Sequence, residues 1–462
     1  MTRLAFIAVA ACSLFAQPAA TPAGQWLGVI EAGAAKLRLG LNITQGDDGA
    51  LRLTWDSLDQ GARGLPGQIT MEGALIKLNL RVATFEGTLN ASGDEISGKF
   101  QQGGGVAPLN FRKVDRLPEA NRPQHPKPPH PYKEEEVGYD SKSPGVRLAG
   151  TLTIPPGDGP FPALLLLTGS GPQDRDETIY DHKPFLVLAD HLTRRGFAVL
   201  RADDRGIGES TGQFVGSTME DFAQDALGGL EFLKARPEIQ KAKIGILGHS
   251  EGGIVAPMVA GRVPDIAFLV LLAASAVTGE ELLYVQGAEL LRAAGASEDT
   301  IRKQAEFQKI LFRAAREEKD TDAATKRARD GLAAFRSTLR PEERALFGGE
   351  EQAEGQIRQT LSRWMRHFLF YDPAPALQKV RCPVLALFGG VDRQVPAGQN
   401  APPLTAALAS SGDSDFTVVV LPRLNHLFQA AKTGAVAEYS LIEETVAPVA
   451  LRTIDEWLER RK

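Results

Sequence analysis

The hydrophobic periodicity of this chain changes once, across a proline-rich segment, and that change limits what the chain can fold into. Before the segment, apolar and polar residues alternate, as at residues 37–43 and 76–82, which is the pattern of half-buried strands. After it, short apolar runs alternate with helical patterns, which predicts a mostly parallel sheet covered by helices. Six prolines between Pro118 and Pro131 exclude a helix or a central strand. We therefore predict a linker over residues 115–133.

The first domain is predicted over residues 24–114. Its turn signals, such as Gly-Asp-Asp-Gly at residues 46–49 and Ser-Gly-Asp at residues 92–94, recur at roughly 8–12 residues, the spacing of an antiparallel meander. We expect an all-β barrel or sandwich that is accessory to the second domain.

Composition excludes several classes of partner and cofactor. Lys and Arg number 52 against 57 Asp and Glu, a formal charge of −5, which lacks the basic excess that nucleic acid binding needs. The two cysteines are Cys12 and Cys382, so a mature chain without the leader has neither an internal disulfide nor a Cys-based zinc site. No His, Asp and Glu cluster has metal-ligand spacing. We predict no metal and no cofactor.

The first residues have the pattern of an export signal. Arg3 supplies a positive charge, residues 4–11 are an unbroken apolar run, and small residues and prolines follow. The run is too short to cross a bilayer, and no later segment is long and apolar enough to do so. We predict a signal peptide over residues 1–16 and a periplasmic or extracellular protein. The alternative is a lipid anchor on Cys12, because Val-Ala-Ala-Cys at residues 9–12 resembles a lipobox.

The second domain, residues 134–462, has the order of strands and helices expected of a doubly covered sheet. A stretch rich in Ala, Arg and Glu with helical spacing interrupts that order, and we interpret it as an inserted helical cap over residues 280–377. Strands are predicted at residues 163–167, 198–201, 244–247, 267–272, 383–388 and 416–421, and helices at residues 185–195, 219–234, from 251 onward and 446–460.

The most specific motif is Gly-His-Ser-Glu-Gly at residues 248–252, because it lies between a predicted strand and a predicted helix. Gly-x-Ser-x-Gly in that context indicates a nucleophile elbow, a turn so tight that glycines must flank the strained serine. Ser250 is therefore the predicted nucleophile. The alternative reading of the motif is a structural turn.

A serine nucleophile needs a histidine to take its proton and a carboxylate to hold the imidazole. Of seven histidines, placement leaves His182 and His426, and only His426 satisfies the order Ser, acid, His. Asp392 directly follows the strand predicted at residues 383–388 and is the predicted acid. Asp413 and Asp415 are rivals, but they precede the next strand and have the pattern of turn residues.

An oxyanion hole needs two backbone donors. We expect the N–H of Glu251, which follows the nucleophile, and the N–H of Ser170, in the loop after the strand at residues 163–167. Gly169, Gly171 and His182 belong to the same loop region and are possible substrate contacts.

The chain resembles a known group from about Glu135 to its end. Gly-Ser-Gly-Pro-Gln-Asp-Arg-Asp at residues 169–176 and Asp-Asp-Arg-Gly-Ile-Gly-Glu-Ser at residues 203–210 look like motifs of the α/β-hydrolase superfamily. The closest likeness is to bacterial exported serine esterases with a serine aminopeptidase-like core. The resemblance implies an α/β-hydrolase fold and serine hydrolase activity, with Ser250, Asp392 and His426 as the triad.

Three functions fit these observations. The first is an exported hydrolase of carboxylic esters, small molecules with short acyl chains, because a cap over the strand ends restricts acyl length. The second is an aminopeptidase-type amidase, which needs pocket acids such as Glu280 and Glu281 to hold an ammonium group. The third is a non-enzymatic binding protein that uses the β-domain.

Overall fold

A computed structural model describes residues 21–32, 35–102, 105–412 and 415–462. The predicted signal peptide, Cys12 and the rival acid Asp413 lie outside these ranges. The chain forms two compact units, Met1–Glu119 and Ala120–Lys462. Each unit is described by itself below.

The first unit is a closed barrel of eight antiparallel strands in sequential order. The first strand pairs with both the second and the eighth, as in Gln25 with Asn42 and Gln25 with Val114, and this closes the barrel. The strands are β1 (Gly24–Ala32), β2 (Ala35–Gln45), β3 (Leu51–Ser57), β4 (Ala62–Glu72), β5 (Leu75–Asn79), β6 (Thr84–Leu89), β7 (Glu95–Gln102) and β8 (Gly105–Val114).

Large side chains fill the barrel. Trp26, Phe85 and Phe111 are buried, and the rings of Phe85 and Phe111 meet edge to face with centroids 5.1 Å apart. Alternate residues of each strand point inward, which is why the sequence showed period two. The prediction of a barrel or sandwich is thus resolved in favour of the barrel.

The second unit is built on an eight-stranded sheet in the order β16-β15-β14-β13-β11-β12-β10-β9. Strands β11 to β16 pair with one another in parallel and are largely apolar and buried. Strand β10 pairs antiparallel with both β12 and β9. Their bounds, with the antiparallel edge strands first, are β9 (Lys133–Asp140), β10 (Arg147–Ile154), β11 (Phe161–Leu167), β12 (Ala198–Ala202), β13 (Ile239–His249), β14 (Leu269–Leu272), β15 (Val384–Gly389) and β16 (Phe416–Leu421).

The sequence did not predict the hairpin of β9 and β10. Strand β9 begins Lys-Glu-Glu-Glu, and these residues have low strand propensity. Eight paired positions with β10, from Lys133 with Ile154 to Asp140 with Arg147, hold it at the sheet edge. Tertiary pairing therefore overrides local preference here.

Helices cover the sheet and form the insertion. The sheet helices are α1 (Pro184–Arg194), α2 (Met219–Ala235), α3 (Glu251–Ala260), α11 (Ala397–Ala409) and α12 (Pro448–Leu458). The inserted helices are α4 (Gly279–Ala293), α5 (Glu298–Glu317), α6 (Thr321–Ser337), α7 (Pro341–Leu346), α8 (Glu350–Thr360), α9 (Arg363–Phe370) and α10 (Ala374–Leu377). This arrangement confirms the predicted α/β-hydrolase fold with a helical cap and an N-terminal all-β domain. In the described ranges, no helix has the length and apolar character to cross a membrane.

The cap has a hydrophobic core of its own, because helices α5, α6 and α8 bury one face each. Phe307, Phe335 and Phe347 form a cluster with ring centroids 5.3–6.1 Å apart. Their burial explains most of the aromatic residues at helical spacing in this stretch as packing.

Much of the predicted linker is a structural part of the second unit. The side chain of Gln124 accepts hydrogen bonds from the N–H groups of Thr445 (2.5 Å) and Val446 (3.0 Å) and donates to the Val446 carbonyl (2.7 Å). Arg122 donates to the carbonyls of Tyr180 and Ile442 at 2.8 and 2.9 Å. The free linker is therefore shorter than the predicted range of residues 115–133. Residues 120–131, which we call the strap, belong to the second unit and are hydrogen-bonded to it through Arg122 and Gln124.

Candidate active site

Ser250 occupies the turn between β13 and α3 with a strained backbone. Its φ is 53° and its ψ is −113°, a conformation that costs an L-residue on the order of 1–3 kcal/mol. Side chains at Gly248 and Gly252 would collide with the backbone of Gly252 and of Leu167, respectively. Glycine is therefore required on both sides of the serine, as a nucleophile elbow demands.

His426 and Asp392 form a buried hydrogen-bonded pair. His426 Nδ1–H donates to Asp392 Oδ2 at 2.8 Å. The other carboxylate oxygen, Oδ1, accepts from the N–H groups of Gln394 and Val395 at 2.8 and 2.9 Å. With its proton on Nδ1, the imidazole has Nε2 left as an acceptor, which is the tautomer that a general base needs.

The loop that carries His426 is held by Asn425, which the sequence reasoning missed. Asn425 is fully buried, and its Oδ1 accepts from the N–H groups of Leu427 (3.0 Å) and Gln429 (2.9 Å). Its amide group donates to Gln429 Oε1 at 2.9 Å. An Asx turn is readable as a loop signal, but the sequence did not show that it would fix this histidine.

Ser250 and His426 line one cavity of about 440 Å³. Its lining includes two carboxylates, Glu177 and Glu251, and among the described lining residues none is Lys or Arg. The cap contributes Leu282, Leu283, Gln286, Gln359, Trp364, Met365 and Phe368. The cap therefore forms one wall of the cavity, as the sequence predicted from the position of the insertion.

The two backbone N–H groups predicted to bind the oxyanion belong to residues that line the cavity. Glu251 is the first residue of α3, where N–H groups have no acceptor within the helix. Ser170 lines the cavity, and in the described part of the chain its N–H has no hydrogen-bond acceptor. The N–H of Gly169 is occupied, because it donates to Glu177 Oε1 at 2.6 Å. Gly169 is therefore not available as a donor in its place, and the role of Ser170 stays a prediction.

The side chain of Glu251 is buried beside the elbow. Trp364 Nε1–H donates to its Oε1 at 2.7 Å. Burial raises the pKa of the Glu251 carboxyl to about 7, and the charge of Asp204 adds to that rise while the Trp364 hydrogen bond opposes it. Burial likewise raises the pKa of Asp204 to about 7.

Two of the residues predicted as possible substrate contacts, His182 and Gly171, do not line the cavity that Ser250 and His426 share. His182 is fully buried and does not line the cavity; its Nδ1 meets Thr445 Oγ1 at 3.0 Å and its Nε2 meets the Tyr439 carbonyl at 2.9 Å. Burial lowers its pKa to about 4, so this neutral ring holds two loops together. The prediction of a substrate contact for His182 is wrong. Gly171 lines a separate inner cavity of about 50 Å³, whereas Gly169 lines both.

The rival acid Asp415 is at the wrong end of the sheet. Its carboxylate pairs with Arg461 at 2.9 Å, and its carbonyl accepts from the N–H of Val384, where β15 begins. Asp392 follows the opposite end of the same strand. In the ranges that the structure describes, no group of three or more His, Cys, Asp and Glu residues could hold a metal ion.

Comparison with known proteins gives one family match and several relatives. The model of the family described as X-Pro dipeptidyl-peptidase (S15 family) matches residues 144–417. Esterase EstD of Thermotoga maritima is 28% identical over 324 residues, which are 70% of this chain and 66% of EstD. The chain thus spans just under two thirds of the length of that relative.

Two solved structures illustrate the structural likeness. The esterase Pf2001 of Pyrococcus furiosus is 16% identical with a TM-score of 0.44 over 75% of this chain and 99% of that one. The α/β hydrolase GrgF of Penicillium sp. is 18% identical with a TM-score of 0.41 over 64% and 91%. The family match covers more than half of the residues, and the chain therefore belongs to the X-Pro dipeptidyl-peptidase (S15) family.

Proposed function

We propose that this protein is an exported serine hydrolase that cleaves carboxylic esters with short acyl chains through an acyl-enzyme intermediate. The observation that carries the proposal is that Ser250 and His426 line one cavity and that His426 is hydrogen-bonded to Asp392 behind it. The name of the relative EstD supports an ester substrate.

The proposed acylation step uses the shared cavity of Ser250 and His426 and the hydrogen bond between His426 and Asp392. Ser250 Oγ attacks the ester carbonyl carbon while His426 Nε2 takes its proton. Asp392 stabilises the imidazolium that forms, because its oxygen accepts the Nδ1–H at 2.8 Å. His426 then gives its proton to the leaving alkoxide, and the acyl group remains on Ser250.

The negative charge of the tetrahedral intermediate is held by the N–H groups of Glu251 and Ser170. Such donors contribute about 3–4 kcal/mol each when they are preorganised. Water then attacks the acyl-enzyme with His426 as the base, and the acid product leaves. No step calls on a metal or a cofactor.

The cavity favours short and neutral acyl groups. A volume of about 440 Å³ suits a small ligand. The apolar side chains of Leu283, Met365 and Phe368 bound it on the cap side. A carboxylate on the substrate would face Glu177 and Glu251; none of the described lining residues is Lys or Arg, and His249, which also lines the cavity, is already hydrogen-bonded to Glu177.

The second candidate is an aminoacyl amide substrate, which the family description favours. The acids first considered for its ammonium do not line the cavity: Glu280 pairs with Arg316, and Glu281 caps α4 through Thr278. Glu177 and Glu251 do line it; Glu177 Oε1 and Glu251 Oε1 already accept hydrogen bonds from protein donors, whereas Glu177 Oε2 accepts none in the described part of the chain. Cleavage of an amide also requires more efficient protonation of the leaving amine than an ester requires for its leaving alkoxide. We therefore favour the ester.

The test compares kcat/KM for a butyryl ester, a palmitoyl ester, a hemisuccinate ester and an alanyl anilide, with and without a chelator. The butyryl ester should be the best substrate, and the chelator should have no effect. Ser250→Ala should abolish both turnover and labelling by a fluorophosphonate. Ser217→Ala is the control serine, because Ser217 is buried and donates to the Gln213 carbonyl outside the cavity. Preference for the anilide, or loss of activity with chelator, would overturn the proposal.

Export is part of the proposal and rests on Arg3 and the apolar run at residues 4–11. Mass spectrometry of the mature N-terminus should show cleavage after Ala16. A diacylglyceryl group on Cys12, lost in Cys12→Ser, would establish the lipid-anchored alternative. An intact N-terminus would contradict both.

A further inference from the structure

One buried ion pair beside Ser250 has no part in the proton transfers described above. His249 Nδ1 donates to Glu177 Oε1 at 2.8 Å, and both side chains are almost completely buried. A buried pair of charges is costly to desolvate, and replacing it with apolar residues is often neutral or stabilising. Its presence at this place calls for an explanation other than stability.

The pair contacts three segments that the proposed mechanism uses. Glu177 Oε1 also accepts the N–H of Gly169, next to the proposed donor Ser170, at 2.6 Å. His249 precedes Ser250, and its Nε2 donates to the backbone carbonyl of His426 at 3.0 Å. The pair therefore bridges the oxyanion loop, the elbow and the histidine loop.

The geometry also sets the charge of His249. One ring nitrogen faces a carboxylate and the other faces a carbonyl, and both of these groups only accept hydrogen bonds. Both nitrogens therefore carry protons, and the ring is an imidazolium. Burial by itself disfavours this charge, but Glu177, the His426 carbonyl and Asp392 raise the pKa of His249 above its usual value.

Three titratable groups of the site lie near this pair. The ring of His426 lies with its centroid 4.8 Å from that of His249, Asp392 interacts electrostatically with His249, and Glu177 interacts electrostatically with Asp204. Neither nitrogen of His249 is left to accept the Ser250 proton. His249 is thus excluded as the general base for a structural reason.

We propose that Glu177 and His249 are positioning residues, whose charged pair holds the Ser170 donor and the backbone of His426 in register around Ser250. The proposal rests on the proposed serine hydrolase function. In Glu177→Gln, the imidazolium loses its carboxylate and deprotonates at lower pH. If the neutral ring keeps its proton on Nδ1, the Nε2 lone pair repels the His426 carbonyl. If it keeps the proton on Nε2, Nδ1 can accept from the residue 177 amide only when that amide turns its oxygen away from the N–H of Gly169.

The first experiment measures kcat and KM against pH for the full chain, Glu177→Gln and Asp225→Asn. Asp225 is the matched control, because it is a buried carboxylate paired with Arg205 at 2.7 Å, and in the described part of the chain its side chain has no hydrogen bond to any of the three segments. In Glu177→Gln we expect kcat above the pH optimum to fall at least about tenfold. The alkaline limb of the kcat–pH profile should shift to lower pH by about one unit or more. KM should change less. Asp225→Asn should keep the wild-type profile.

A Glu177→Gln profile with the wild-type alkaline limb would overturn the proposal. A second measurement needs neither a substrate nor a folded Glu177 variant: ring-nitrogen NMR of the histidines in the double variant His191→Gln, His426→Gln, which removes the two other histidines that are hydrogen-bonded to carboxylates. One ring should keep protons on both nitrogens at about pH 8.5. If every ring is neutral there, the proposal fails even though the wild-type enzyme hydrolyses esters; if the ring is charged but the wild type cleaves no ester, the proposed function fails instead.

Discussion

The indole of Trp364 and the carboxyl of Glu251 join the helical cap to the residue that follows the proposed nucleophile. The Nε1–H of Trp364, in α9, donates to Glu251 Oε1 at 2.7 Å. The backbone N–H of Glu251 is one of the two proposed oxyanion donors. The cap therefore contacts the elbow directly in addition to bounding the cavity.

The first prediction concerns stability and pH. The folded pKa of Glu251 is about 7, above the value near 4.3 of an unfolded chain. The folded state therefore binds this proton more tightly, so stability is lost as pH rises from about 4.5 to about 7. The loss is on the order of 4 kcal/mol at most. Glu251→Gln should remove it.

The measurement is urea unfolding of wild type and Glu251→Gln from about pH 4.5 to pH 8. The variant should gain stability relative to wild type across that range. Trp364→Phe should extend the wild-type loss to higher pH, because it removes the hydrogen bond that opposes the rise in pKa. A stability difference between wild type and Glu251→Gln that is constant with pH would contradict the prediction.

The second prediction separates the candidate acids. Asp392→Asn should lower kcat by about 10⁴-fold, because an asparagine no longer holds the His426 proton on Nδ1. Asp415→Asn should leave kcat within about twofold, since Asp415 lies at the other end of the sheet beside Arg461. Steady-state kinetics on a butyryl ester measure both. Equal losses in the two variants would refute the assignment.

The third prediction concerns the strap over residues 120–131. Gln124→Ala removes three hydrogen bonds to Thr445 and Val446, worth roughly 1 kcal/mol each. It should loosen the segment that includes Val436 and Tyr439, which line the cavity, and raise KM several-fold. Gln224→Ala is the control, because Gln224 makes an exposed bond to Glu220.

Truncation gives a coarser version of the same test. A chain that begins at residue 120 keeps the strap and should hydrolyse esters, whereas one that begins at residue 133 should be less stable and less active. Equal activity of the two chains would show that the strap has no role in the site. Loss of activity in both would assign a necessary role to the barrel unit.

The fourth prediction concerns acyl length. Phe368 stacks on Trp364 with centroids 5.3 Å apart and lines the cavity, so Phe368→Ala should raise kcat/KM for an octanoyl ester relative to a butyryl ester by several-fold. Phe312→Ala, in the separate core of the cap, should not change that ratio. An unchanged ratio in Phe368→Ala would mean that the cap does not limit acyl length at this wall.

Local patterns were sufficient for the fold class and for the candidate triad. Period-two alternation predicts barrel strands because successive side chains point to opposite faces. The Gly-x-Ser-x-Gly motif at residues 248–252 predicts the elbow because only glycine tolerates the backbone contacts found there. The order of Ser250, Asp392 and His426 along the chain predicts their meeting because parallel strands bring their carboxyl ends to one edge of the sheet.

Local sequence patterns failed where contacts between residues distant in the chain determine the conformation. Strand β9 is too charged to be recognised and forms only because β10 pairs with it. Residues 120–131 look like a free linker because prolines exclude regular structure, yet Arg122 and Gln124 bind carbonyl and amide groups more than 50 and 300 residues away.

The sequence by itself determined where the nucleophile turn, the strand ends and the loops lie, because such local structure depends on neighbours within a few positions. Only the tertiary structure decided what each buried polar group faces. His182 is a neutral bridge between loops, whereas His249 is a cation between Glu177 and the His426 carbonyl. The physical reason is that burial removes water, so the charge of a side chain depends on the few donors and acceptors that the fold brings to it.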